Sequence, residues 1–172
     1  MDCLQNRIGI LGCGAPTTGV QLYINQLPGV SIEKISALAD DEQETFLGVW
    51  ADVVLRTLKK FEILVKAELN KCYKITDKTV VECLICEHKA LFDVALWYLH
   101  GTELMIEVTS SDTISRFTTM DLEKAEKLKE EFFTEFQASL SDAINSINPQ
   151  DSDCIETCIP CNDSVRFVMQ TP

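Results

Sequence analysis

A mainly α-helical fold is predicted, a helical body of about three long helices carrying extended arms at both ends. Three observations predict it. Long apolar stripes recur at steps of three to five residues through the middle of the chain, close to what one face of a helix requires. Five of the seven glycines lie within residues 1–30, outside those stripes. At 172 residues, 46% of them hydrophobic, the chain is long enough to bury one sizeable core.

Residues 1–30 show no sustained helical period and are expected to form an extended N-terminal arm. Leu27-Pro28-Gly29 ends it with a turn, because proline disfavours helix at the residue before it and glycine supplies the positive φ of a type II turn. The body is expected to span 31–148. Ser31 can cap a short helix running to Ala39, with Ile32, Ile35 and Leu38 on one face. Asp40 with Gln43 fits a capping box, and a long helix is expected from Asp41 to Lys71. Its stripe comprises Phe46, Val49 or Trp50, Val53, Leu58, Phe61, Leu64 or Val65, and Leu69, broken only at Thr57.

Tyr73 to Thr79 reads as a loop or hairpin, because Tyr73, Ile75, Val80 and Val81 favour strands, whereas Glu82 to His88 can begin a helix. From Lys89 to Glu107 apolar residues nearly surround the helix axis, so this helix is expected to be the buried one. Gly101 inside it costs up to about 1 kcal/mol against alanine, which implies that a neighbouring backbone packs closely or that the helix bends. Thr118 can cap the last helix, whose stripe runs Leu122, Ala125, Leu128, Phe132, Phe136, Leu140, Ile144 and Ile147 until Asn148-Pro149 stops it. Residues 149–172 complete the chain as an extended C-terminal arm, with a strand-like run from Ser164 to Met169. Short β-strands are expected only in the arms.

The net charge of −12 argues against a protein that grips phosphate backbones. No stretch approaches the roughly 20 apolar residues that span a bilayer, so no membrane association is expected and a soluble, unexported chain with reduced thiols is the simplest reading. His88 and His100 stand twelve residues apart, too far on one helix to share a site. Among apolar neighbours, His100 reads as a satisfied core or interface histidine. Asp40-Asp41 and Glu130-Glu131 fall at a helix start and on a solvated face. No catalytic residue and no cofactor are therefore expected, and Gly12-Cys13-Gly14 lacks the remaining residues of a phosphate loop.

The cysteines are the exception. Cys83 and Cys86 form C-x2-C, and Cys154, Cys158 and Cys161 form C-x3-C-x2-C, spacings short enough to chelate zinc. Cys154, Cys158 and Cys161 are thus metal candidates, and a small zinc-binding adaptor or regulatory protein is an alternative function. Set against it is a simpler arrangement, in which Cys83 and Cys86 are small core residues one helical turn apart and the other three lie in an exposed tail.

The run Cys13-Gly14-Ala15-Pro16, Gly19 and Leu22 to Ser31 resembles structural proteins of Bacteroidetes bacteriophages, the crAss-like phages among them. Phe46-Leu47-Gly48-Val49-Trp50, Ala67 to Lys71 and the closing Cys158-x2-Cys161-x4-Arg166-Phe167-Val168 extend the likeness. Ala95-Leu96-Trp97-Tyr98-Leu99 with Gly101, Glu103-Leu104-Met105, Ser111-Asp112 and Arg116 to Thr119 is similar to the body of head-to-tail connector proteins of the phage neck. The resemblance departs at Ile106-Glu107-Val108-Thr109, which lacks basic residues.

This resemblance implies a virion structural protein without catalytic residues. It implies a homo-oligomeric ring, twelve-fold like the portal protein it binds, with further neck or tail ring proteins below; a tail-completion or stopper protein of the same particle is the nearest rival. Such a ring is made in the host bacterial cytoplasm and DNA passes through it without specific binding. Leu22, Tyr23, Ile24 and Leu27 of one arm and Arg166, Phe167 and Val168 of the other are the expected assembly contacts, since arms of this kind reach neighbouring subunits.

Overall fold

The computed structural model describes 48–110, 120–147, 152 and 154 with their side chains, and the backbone of 8–9, 22–23 and 40–47. Four helices make up nearly all of this: α1 (Asp40–Tyr73), α2 (Lys78–Glu87), α3 (Lys89–Ser110) and α4 (Leu122–Ser146). In the N-terminal arm, β1 (Ile8–Gly9) and β2 (Leu22–Tyr23) pair in parallel over two residues. The side chains of the expected assembly contacts in both arms lie outside the described residues, as does the short helix expected over Ser31 to Ala39.

The long helices alternate in direction. Arg56 meets Glu103 while Phe61 meets Phe92, so α1 and α3 run antiparallel. Gly101 meets Phe132, and Ala90 and Leu91 share a groove with Ala143 and Ser146, so α3 and α4 also run antiparallel. These two helices share the most extensive interface in the protein. Tyr73 at the end of α1 reaches the end of α4, where its hydroxyl proton is shared between the carbonyls of Ile144 (3.3 Å) and Ile147 (3.4 Å), the first of which also accepts from the Ile147 amide.

The core follows the stripes read from the sequence. Trp50, Val53, Leu58, Phe61, Val65 and Leu69 of α1 are buried, as are Phe92, Ala95, Leu96 and Leu99 of α3 and Phe132, Phe136, Leu140 and Ile144 of α4. Leu122 is an exception at 60% exposed, because it opens α4 beyond the end of its packing. The cap of α4 is Asp121, whose carboxylate accepts from the Lys124 amide at 2.7 Å. It takes the role assigned to Thr118, which lies outside the described residues.

The segment after α1 is no hairpin. Lys74 adopts a left-handed φ of 58° and stops α1, Ile75 tucks into the core, and Asp77 caps α2 by accepting from the Thr79 amide at 2.7 Å. Val80 and Val81 have strand propensity, but Val81 packs with Leu84 and Ile85 along one face of α2, so tertiary burial overrides local preference.

Gly101 is a point of close approach, though to a side chain rather than to a backbone. A Cβ built there would stand 2.8 Å from Phe132 Cδ2, inside contact distance. The ring also meets Trp97, one turn before Gly101 on α3, edge-to-face with centroids 5.5 Å apart. Gly101→Leu should therefore lower stability by about 1–3 kcal/mol, the usual cost of overpacking. The midpoint of a urea transition checks this; an unchanged midpoint would mean that α3 and α4 can part freely at Gly101.

Candidate functional site

One end of the bundle gathers the chemistry. Cys83 on α2 is joined in a disulfide to Cys154, with their Cα atoms 5.8 Å apart and 71 residues between them in sequence. Cys72 and Cys86 are disulfide-bonded as well. The expectation of reduced thiols is thus corrected for the four described cysteines, all of which are disulfide-bonded. Cys83 is exposed and Cys86 half-buried, so neither is the small core residue expected. Cys154 is half-buried against the body rather than free in a tail, and in the disulfide it offers no thiolate to a metal. Cys158 and Cys161 lie outside the described residues.

Glu87 organises the same corner. One helical turn after Cys83, its Oε2 accepts from Ser152 Oγ at 2.7 Å and lies 3.1 Å from Cys154 Sγ. Ser152 is buried, and its Oγ also accepts from the Cys154 amide at 3.2 Å. His88 caps α2, with its amide on the Leu84 carbonyl (3.0 Å) and its own carbonyl accepting from Leu91 (2.9 Å). That fixed backbone puts His88 Nε2 3.7 Å from Glu87 Oε2, buried and without a hydrogen bond. In this oxidised form, no group of three or more His, Cys, Asp or Glu among the described residues is arranged to hold a metal ion.

His100 is a core histidine, but only half satisfied. Thr57 Oγ1 donates to the Val53 carbonyl at 2.8 Å, which uses its single proton. The contact of 3.1 Å between that hydroxyl and His100 Nδ1 must then have Nδ1–H as donor. Nε2 is left buried without a partner, and the ring meets Trp50 edge-on at 4.7 Å. Burial pushes the His100 pKa down from 6.5 to about 3, so at neutral pH the ring is neutral and its one proton is the Nδ1–H committed to Thr57. The break in the α1 stripe at Thr57 is the room this histidine occupies.

A second polar feature has no counterpart in the sequence reading. Glu103 on α3 is 3% exposed and accepts from Arg56 Nε at 2.8 Å and Lys60 Nζ at 2.6 Å, both on α1. Arg56 Nη2 also donates to Glu107 at 3.1 Å. Desolvation pulls the Arg56 pKa down, but the bonds to Glu107 and Glu103 outweigh it and the net shift is upward. Ion pairs of this kind fix which turn of α1 faces which turn of α3 more than they add stability.

The surface carries shallow grooves rather than a deep cleft among the described residues. The groove between α1 and α4, lined by Leu64, Glu68, Phe133, Gln137 and Leu140, measures about 160 Å³, and those beside Leu55, Lys59 and Ile63 of α1 and between Leu91, Val94 and Asp142 measure about 460 and 340 Å³ and lie open to solvent. Glu130 and Glu131 lie exposed on α4, as expected of a solvated face. No helix of the described residues is long and apolar enough to cross a membrane. No protein-family model, curated protein or solved structure matches this chain.

Proposed function

We propose that this chain is a virion structural protein of a tailed bacteriophage, a ring-forming head-to-tail connector that links the portal to the tail and lines part of the DNA channel. The observation that carries the reading is a pair of exposed apolar side chains on the outside of α1. Leu55 is 51% and Ile63 66% exposed, two helical turns apart, and Lys59 between them is exposed as well. Leu91 and Val94 on α3 add a second apolar spot at 40% and 54% exposure. Aligned exposed side chains of this kind suit subunit contacts better than contact with water.

Two further features support the reading. The body is a rigid bundle whose helix register is pinned by the Glu103 pairs, as a part repeated around a ring needs to be. A net charge of −12 per copy, multiplied around a channel, repels the phosphates of passing DNA. The twelve-fold copy number and the portal as binding partner come from the resemblance to connector proteins. Disulfides do not persist in a bacterial cytoplasm, so assembly there proceeds with the cysteines as thiols.

Electron microscopy of the reduced chain mixed with its cognate portal tests the proposal, with a closed ring on the portal as the expected image. Leu55→Glu with Ile63→Glu should leave the melting temperature nearly unchanged, since both positions are exposed, and should abolish the ring. A monomer that ignores the portal and binds duplex DNA with a steep salt dependence would sink the reading.

A further inference from the structure

We propose that Cys83, Cys154, His88 and Glu87 form a zinc site when the disulfide is reduced, so that this corner exchanges a covalent cross-link for a metal-ion one. The proposal is independent of the ring reading. It rests on four side chains of the right chemistry gathered at one corner from two distant parts of the chain, Cys83 bonded to Cys154 and Glu87 in contact with both Cys154 and His88.

Three of the four come from one turn of helix. Cys83 and Glu87 are four residues apart and lie on one face of α2, and His88 follows at the helix cap. Cys154 arrives from 71 residues away. Two thiolates, an imidazole and a carboxylate make a four-coordinate set of the borderline-soft kind that selects zinc.

The spacing fits. Zinc bonds of about 2.0–2.3 Å in a tetrahedron put neighbouring ligand atoms roughly 3.3–3.8 Å apart. Glu87 Oε2 lies 3.1 Å from Cys154 Sγ and 3.7 Å from His88 Nε2, close to that range on both edges. The two sulfurs, bonded here, separate on reduction by side-chain rotation alone, since Cα atoms 5.8 Å apart leave room for either arrangement.

Two details go beyond proximity. His88 Nε2 is a buried nitrogen lone pair or N–H without a hydrogen bond, a cost the fold bears with no return in the oxidised form. A metal would satisfy it. Ser152 Oγ already donates to Glu87 at 2.7 Å, the outer contact that orients a ligating carboxylate, and Ser152 is itself buried.

The exchange balances. A small-molecule dithiol reduces the disulfide, giving two cysteine thiols and its own cyclic disulfide. Zn²⁺ then displaces one proton from each thiol and binds the two thiolates. In reverse, a low-molecular-weight disulfide takes two electrons from the thiolate pair, the Cys83–Cys154 bond forms again, and Zn²⁺ leaves. The C-terminal segment stays tethered to α2 in either state, by metal in a reducing compartment and by the disulfide in an oxidising one.

The test is titration of the reduced full-length chain with Co²⁺ and Zn²⁺ under anaerobic conditions. Expected are the ligand-field bands of tetrahedral cobalt with thiolate charge transfer, displaced by one equivalent of Zn²⁺ attributable to this corner. Cys83→Ser with Cys154→Ser should remove that equivalent, His88→Ala should alter the cobalt spectrum, and Ser152→Ala should weaken affinity by about 10–100-fold. Circular dichroism follows the fold throughout. If the reduced chain loses helix, Zn²⁺ should restore it in the wild type and fail to do so in the double variant. The proposal is overturned if the double variant binds as much metal as tightly as wild type, or if reduced wild type takes up none.

Discussion

Acidification from pH 7 to pH 3 should cost this protein roughly 4 kcal/mol through His100 alone, a figure set by the difference between its folded and unfolded affinities for a proton. The ordinary pKa of 6.5 applies once the chain unfolds, whereas burial holds the folded value at about 3. Between those values the unfolded chain binds a proton that the folded chain does not. Stability is therefore complete above pH 6.5, falls as the pH drops below it, and levels off near pH 3 where the folded ring also titrates.

The geometry makes the same case. Nδ1 already spends its proton on Thr57, and a second proton on Nε2 would put a cation in a buried site with no hydrogen-bond acceptor among the described residues. His100→Gln keeps an amide donor for Thr57 and removes the titration. Urea midpoints measured from pH 7 to pH 3 should fall for both proteins, because carboxylates titrate too, but more steeply for wild type. Equal slopes would mean that His100 is solvated, and the structure around it wrong.

How far such features are legible in a sequence depends on how local their causes are. The stripes of α1, α3 and α4 are local, so those helices were readable from spacing, with α1 running from Asp40 to Tyr73 against an expected Asp41 to Lys71. Gly101 announced a close contact but not its partner, because Phe132 lies 31 positions on in another helix. The start of α2 was missed because Val80 and Val81 argue for strand until the core they join is known.

The polar interior was less legible still. Glu103 stands between Thr102 and Leu104, and its charge argued for the surface; what buries it are Arg56 and Lys60, over forty residues earlier. In the same way, the two cysteine motifs were visible as motifs, but not that the first cysteine of each would meet. Eight cysteines allow about 105 pairings, and nothing in their spacing selects Cys83 with Cys154.

Cys154→Ser should lower the stability of the oxidised protein by up to about 4 kcal/mol, the loop-closure value for a lone cross-link spanning this length. The disulfide joins residues separated by 71 positions, so in the unfolded chain it closes a loop holding all of α3 and α4. Ser152 Oγ and Cys154 Sγ both contact Glu87, so part of the packing there is lost as well. In a domain of this size a loss of about 4 kcal/mol shifts the melting temperature down by roughly 8–16 °C. A chain truncated before Gln150 loses the same cross-link, so it should keep its helices but melt early. Metal-free measurements in excess reductant supply the control, since wild type then lacks the same cross-link and the two proteins should melt close together. If Cys154→Ser melts with oxidised wild type, the disulfide does not restrain the unfolded chain and the arm is peripheral after all.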